Sequence, residues 1–164
     1  MTTFAFKNRG VGMPYGAPHD VAFKAHIDIP AMIANQPLDS TIPAAGFGVG
    51  DVLQGFEVPA GFLLKHVGVR VTVAEGGACT ALMGNASATQ THLLTADPDG
   101  YMATTTINLN ALTTVTVAVA SVQLGGNTTE GVVFITNGTI DVYFETNLTA
   151  VAVFDVWATG WRVF

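Results

Sequence analysis

Strict alternation of β-branched residues constrains this chain more than any other feature. From Val67 to Val73, the residues Val67, Val69, Val71 and Val73 fall on one side, with Gly68, Arg70 and Thr72 on the other. A period of two is the side-chain period of extended backbone, so the run reads as a half-buried strand of an antiparallel sheet. Thr113–Val122 repeats the pattern, Val115, Val117 and Val119 alternating with Thr114, Thr116, Ala118 and Ala120. That strand has a second face that is small and uncharged. Further strands are expected at Val21–Ile29, Val52–Val58, Ala78–Met83, Val132–Thr136, Thr139–Thr146 and Val151–Val163. No segment keeps a 3.6-residue apolar period for three turns, so almost no helix is expected.

The breaks between these runs are turn formers: Glu75-Gly76-Gly77, Asp97-Pro98-Asp99-Gly100, Gly125-Gly126-Asn127 and Asn137-Gly138. Asn137-Gly138, set between two apolar alternating runs, is the strongest hairpin signal in the chain. About eight strands at this spacing predict an all-β fold, an antiparallel two-sheet sandwich that is jelly-roll-like, with a closed barrel as the alternative. Alternation does not distinguish jelly-roll from immunoglobulin-like strand order, because both bury every second residue.

A length of 164 residues fits one domain. The reading is an N-terminal arm over residues 1–21 and a β-sandwich domain over 22–164. The arm holds Gly10, Gly12, Pro14, Gly16 and Pro18, two of the six basic residues, and no acid before Asp20. Such a segment cannot pack a core of its own and is expected to lie extended against a neighbouring subunit or partner. Phe4, Phe6, Lys7, Arg9 and Tyr15 are its candidate partner-binding residues. A second irregular stretch, Pro30–Gly50, reads as a long connection with an interface role.

Apolar residues make up 49% of the chain and charged residues 11%. The typical charged share is about 25%. This composition excludes intrinsic disorder. The most apolar stretches, Leu112–Leu124 and Val151–Trp157, are broken by Thr, Ser, Gly or Asp short of the ~20 residues of a membrane helix, so no membrane partner is expected. Lys7 and Arg9 are followed by no apolar signal core, and synthesis in a cytoplasm is expected. A surface this poor in charge is expected to be covered in part by other subunits. The net charge is −6 and no Lys/Arg cluster occurs along the chain, which sets aside a dedicated nucleic-acid binder.

Chemistry-bearing motifs are sparse. Cys79, the only cysteine, can form no intrachain disulfide and reads as a small buried hydrophobe. His19, His26, His66 and His92 lack the paired spacing of metal ligands, and no metal or other cofactor is expected. Asp97-Pro98-Asp99-Gly100 reads as a turn and not as a calcium loop, since the later bidentate Glu is missing. Ser40, Ser87 and Ser121 sit in no nucleophile-elbow frame. The run Gly46-Phe47-Gly48-Val49-Gly50 has no Lys or helix to make a phosphate loop. No residue qualifies as catalytic, so the chain is not expected to be an enzyme. The Asn-x-Ser/Thr sequons at Asn85, Asn127, Asn137 and Asn147 read as coincidences of a Thr-rich chain. Trp157 and Trp161, four apart in a strand, share a face and are expected in packing or an interface.

Two stretches carry a resemblance. Asp51-Val52-Leu53-Gln54-Gly55-Phe56-Glu57-Val58-Pro59-Ala60-Gly61, continued by Val67 through Gly77, resembles a segment of small virion structural proteins of tailed bacteriophages. In that segment a strand, a Pro-Ala-Gly turn and a Val-rich strand precede a Gly-Gly turn. Thr139-Ile140-Asp141-Val142, leading to Val153-Phe154-Asp155-Val156-Trp157, is similar to their C-terminal strand pair. The resemblance implies a non-enzymatic capsid decoration (cement) protein or head-fibre base. Its partner would be the major capsid protein, and it would self-associate as a homotrimer. It would sit on the capsid exterior of a virion assembled in the host cytoplasm. The alternatives are a head- or tail-fibre module contacting the host, and a carbohydrate-binding β-sandwich using Asp97, Asp99 and the Trp pair.

Overall fold

Every second residue of the alternating runs turns inward, and two sheets meet on those apolar faces. The computed structural model describes residues 3–5, 20–35, 42–43, 45–85, 100–102, 107–119, 131–146 and 149–162. In chain order the elements are β1 (Thr3–Ala5), β2 (Asp20–Asp28), α1 (Ile29–Ala34), β3 (Val52–Val58), β4 (Phe62–Val73), β5 (Thr80–Gly84), β6 (Ile107–Asn108), β7 (Thr114–Ala118), β8 (Val132–Val133), β9 (Gly138–Thr146) and β10 (Val153–Arg162). One sheet runs β1-β3-β9-β5-β6 and the other β2-β10-β4-β7, with β8 also on β4. The fold is an all-β, two-sheet sandwich. Its pairings nest, β2 with β10, β3 with β9, β4 with β7 and β5 with β6, an arrangement compatible with a jelly roll. All of these are antiparallel.

Phe23, Ala25 and Ile27 of β2, Val67, Val69 and Val71 of β4, and Phe154, Val156 and Ala158 of β10 fill the core from one side. Leu53, Phe56 and Val58 of β3 and Ile140, Val142 and Phe144 of β9 fill it from the other. Phe23 joins the layers, edge-on to Phe62 at 5.0 Å and stacked on Phe56 at 6.1 Å between ring centroids. Cys79 is buried in this core, as its composition context predicts, and burial pushes its thiol pKa up.

Two local expectations are corrected. Asn137-Gly138 does not close a hairpin, because β8 pairs with β4 in one sheet while β9 pairs with β3 and β5 in the other. The segment before it is drawn to β4 by the bonds Gly61 N to Phe134 O and Phe134 N to Phe62 O. Asn137 then spends its side chain on the neighbouring β3–β4 turn, its Oδ1 accepting from Ala60 N at 2.9 Å. The turn signal is used to change sheets. The second correction concerns Pro30–Gly50, which opens with a helical turn. Asp28 ends β2 by capping α1, its Oδ1 accepting from Ala31 N at 2.9 Å, and Pro30 in the first turn has no N–H to lose.

One end of the sandwich is fastened by a carboxylate. Glu75 Oε2 accepts from Thr149 Oγ1 at 2.7 Å and from Ala150, Val151 and Ala152 N–H at 3.0, 2.9 and 3.1 Å. Three successive N–H groups aimed at one point form a nest for an anion, and the chain fills it with its own side chain. Partial burial works to raise the Glu75 pKa, but the bonds from Thr149, Val151, Ala152 and Ala150 outweigh it and hold the carboxyl below its ordinary value. Beside it, Phe47 bridges to Thr149 and stacks on Phe144 at 4.9 Å. The glycine-rich run is thus a turn, closed by Gly48 N donating to Asp51 Oδ2 at 2.8 Å.

Candidate functional site

The outward faces of the two sheets differ. On the β3 sheet Val52, Asp141 and Tyr143 alternate with the core residues of their strands, so they point away from the core, yet all three are buried. On the β10 sheet the corresponding side is open. There Ala22, Lys24 and His26 of β2, His66, Arg70 and Thr72 of β4, and Thr114, Thr116 and Ala118 of β7 are all exposed.

Register sets these side chains in three rows across four strands. The first is Ala22, Thr159, His66, Ala118; the second Lys24, Trp157, Gly68, Thr116; the third His26, Asp155, Arg70, Thr114. Trp157 is therefore central, and it lies over Gly68. A Cβ built at position 68 would fall 2.2 Å from the indole, so the ring occupies the room that the absent side chain leaves. At one end of the face Lys65 is the extra residue where the β4–β10 register shifts, and its Nζ stands 5.1 Å from the Trp161 ring centroid. The two tryptophans share a face, as their spacing predicts.

The charges are ordered. Asp155 takes Lys24 Nζ at 2.9 Å on one oxygen and His26 Nδ1 at 2.9 Å on the other. Burial works to raise the Asp155 pKa, while the hydrogen bonds and charges of Lys24 and His26 prevail and lower it. Arg70, beside Asp155 in register, is left over: among the described residues no carboxylate pairs with its guanidinium. All four Lys and Arg residues beyond the arm, Lys24, Lys65, Arg70 and Arg162, belong to β2, β4 and β10. The strands β1, β3, β5, β6 and β9 carry none, and Glu57 and Glu145 are exposed there. A chain of net charge −6 with no basic run thus gathers, among the described residues, its cations on one sheet. Linear spacing hid this, because Lys24 and Arg70 meet only through β10; the lone Gly68 in a valine strand was the legible signal.

Of the arm residues, Phe4 lies in β1, which runs parallel to β3 with Phe4 opposite Leu53 of the same chain. Phe6, Lys7, Arg9 and Tyr15 lie outside the described residues, as do His19, His92, Asp97 and Asp99.

With the geometry established, comparison with known proteins is informative at the level of fold. No family model matches the chain, and no curated protein matches it. Solved structures do. A chain of the cyanophage Pam1 capsid asymmetric unit is similar with a TM-score of 0.53 and 11% identity, over 92% of this chain and 91% of that one. A chain of the capsid of Ralstonia phage GP4 is similar with a TM-score of 0.56 and 13% identity, over 96% of this chain and 97% of that one. The chain has the fold of phage capsid chains. The likeness spans both sheets of the sandwich, and it agrees with the virion resemblance carried by Asp51–Gly77 and Thr139–Trp157.

Proposed function

We propose that the protein is a structural component of a phage virion that decorates the capsid and stabilises it by non-covalent binding to the major capsid protein. The observation that carries this reading is the fold shared, over more than nine-tenths of the chain, with chains of two phage capsids. In this reading the protein binds and does no chemistry. It resides on the capsid exterior after assembly in the host cytoplasm, as a homotrimer.

Residues 1–21 act as the arm and 22–164 as the sandwich domain. Phe4, Phe6, Lys7, Arg9 and Tyr15 add to the partner contact, while the backbone of β1 lies parallel on the edge of β3 in its own chain. The open β10 sheet suits a binding protein, since its Thr and Ala positions cost little to desolvate.

The test is sedimentation of the purified protein with heads assembled without it. Binding that saturates, with a raised temperature of head disruption, is the expected result; absence of binding overturns the proposal. A variant lacking residues 1–19, which spares β2, should bind more weakly, and its native mass by light scattering reports whether the trimer needs the arm. A second reading, carbohydrate binding, is favoured by the shared face of Trp157 and Trp161, and a glycan array tests it.

A further inference from the structure

We propose that the outward face of the β10 sheet, centred on Trp157 and Arg70, is the surface that docks on the capsid, and that its occupant is a protein surface presenting carboxylates around an apolar contact. This inference rests on the capsid reading above and names the face that performs it.

The outward side of the β3 sheet already buries Val52, Asp141 and Tyr143, whereas the β10 sheet leaves its rows open. Charge then selects the kind of partner. The open face carries Lys24, Lys65 and Arg70 with His26 and His66, against Asp155 and the helix cap Asp28. Asp155 is occupied by Lys24 and His26, and among the described residues no other carboxylate pairs with Arg70, so its guanidinium is a fork for an incoming carboxylate. Three cations among the described residues of this face are too few for the phosphate backbone of a nucleic acid, which rewards many, and suit an acidic protein surface.

Trp157 supplies the other half of a binding hot spot. Its indole is held down on Gly68 and flanked in register by Lys24, so little rotamer freedom is lost on docking. The neighbours on β7, Thr114, Thr116 and Ala118, are small and exposed, which lets a partner approach the sheet closely.

The experiment measures binding of full-length variants to heads assembled without the protein. Arg70→Glu should weaken binding by about tenfold or more, and wild-type binding should weaken as salt is raised, because the charges that meet are opposite. Thr116→Arg adds one more positive charge together with bulk beside Trp157, and the bulk should weaken binding by holding the partner off the sheet. Arg70 and Thr116 are exposed, so both variants should fold; Arg70→Glu sets a carboxylate beside Asp155 and should lower the melting temperature slightly, whereas Arg70→Gln brings no such repulsion and should weaken binding at the wild-type melting temperature. A paired variant on the other sheet, Glu57→Lys with Glu145→Lys, should bind as wild type. If Arg70→Glu or Thr116→Arg binds normally, or if the paired variant is the one that fails, the docking face is wrong while the capsid reading stands. If wild type does not bind heads at all, the capsid reading itself fails. Loss of binding after nuclease treatment of the heads would assign the face to nucleic acid and overturn the proposal.

Discussion

The indole of Trp157 lies directly over the α-carbon of Gly68, in the space where any other residue would project a side chain. Gly68→Ala should therefore push the ring outward without touching the core beneath, where Val67 and Val69 remain buried. The expected cost is about 1–3 kcal/mol, the usual range for adding a group to a packed site. Intrinsic fluorescence should report greater solvent exposure of the indole, and calorimetry a lower melting temperature.

Glu75 is the anion that fills the nest at Ala150–Ala152. Glu75→Ala leaves those three N–H groups to water or to nothing and should cost about 2–4 kcal/mol, measured by chemical denaturation.

The same carboxylate sets a pH dependence. Unfolded, Glu75 titrates near 4.5; folded, it titrates lower. Its contribution is therefore complete above pH 4.5 and is lost as pH falls below that value through the folded pKa, because the unfolded chain takes up the proton first. Asp155, also lowered, acts in the same direction, so the comparison of interest is between wild type and Glu75→Gln. The wild type should lose more stability than the variant between neutral pH and pH about 3.5.

Gly46 has a φ of 87°, and a Cβ there would fall 1.8 Å from the carbonyl oxygen of Thr149. Gly46→Ala combines left-handed backbone with a backbone clash that no rotamer relieves. A loss of about 3 kcal/mol or more is expected, read as a fall in melting temperature. Gly50 also has a positive φ but open space around its Cβ position, so Gly50→Ala should cost only about 1 kcal/mol.

Asn137→Ala removes the acceptor for Ala60 N and should cost about 1 kcal/mol. Asn137→Asp keeps an acceptor and should restore most of that loss.

Much of the sandwich was legible in the linear chain because a period of two is a local property. Val67, Val69 and Val71 on the inner side, with Arg70 and Thr72 outside, follow from alternation alone, and Val52–Val58 was bounded correctly from its flanking turn residues. The shared face of Trp157 and Trp161 follows from the same rule. Partner choice between strands is a different matter, because it depends on which apolar faces satisfy each other across the core. Asn137-Gly138 carries the local chemistry of a hairpin, yet β8 is claimed by β4 and β9 by β3 and β5, so tertiary pairing decided its use. The charged face depended on the same decision. Lys24, Arg70 and Asp155 are far apart along the chain, and only the insertion of β10 between β2 and β4 sets them in adjoining rows beside Trp157. Composition and periodicity determined that this chain would be an all-β fold of low charge; strand pairing made it a two-sheet sandwich, and register determined where its few charges meet.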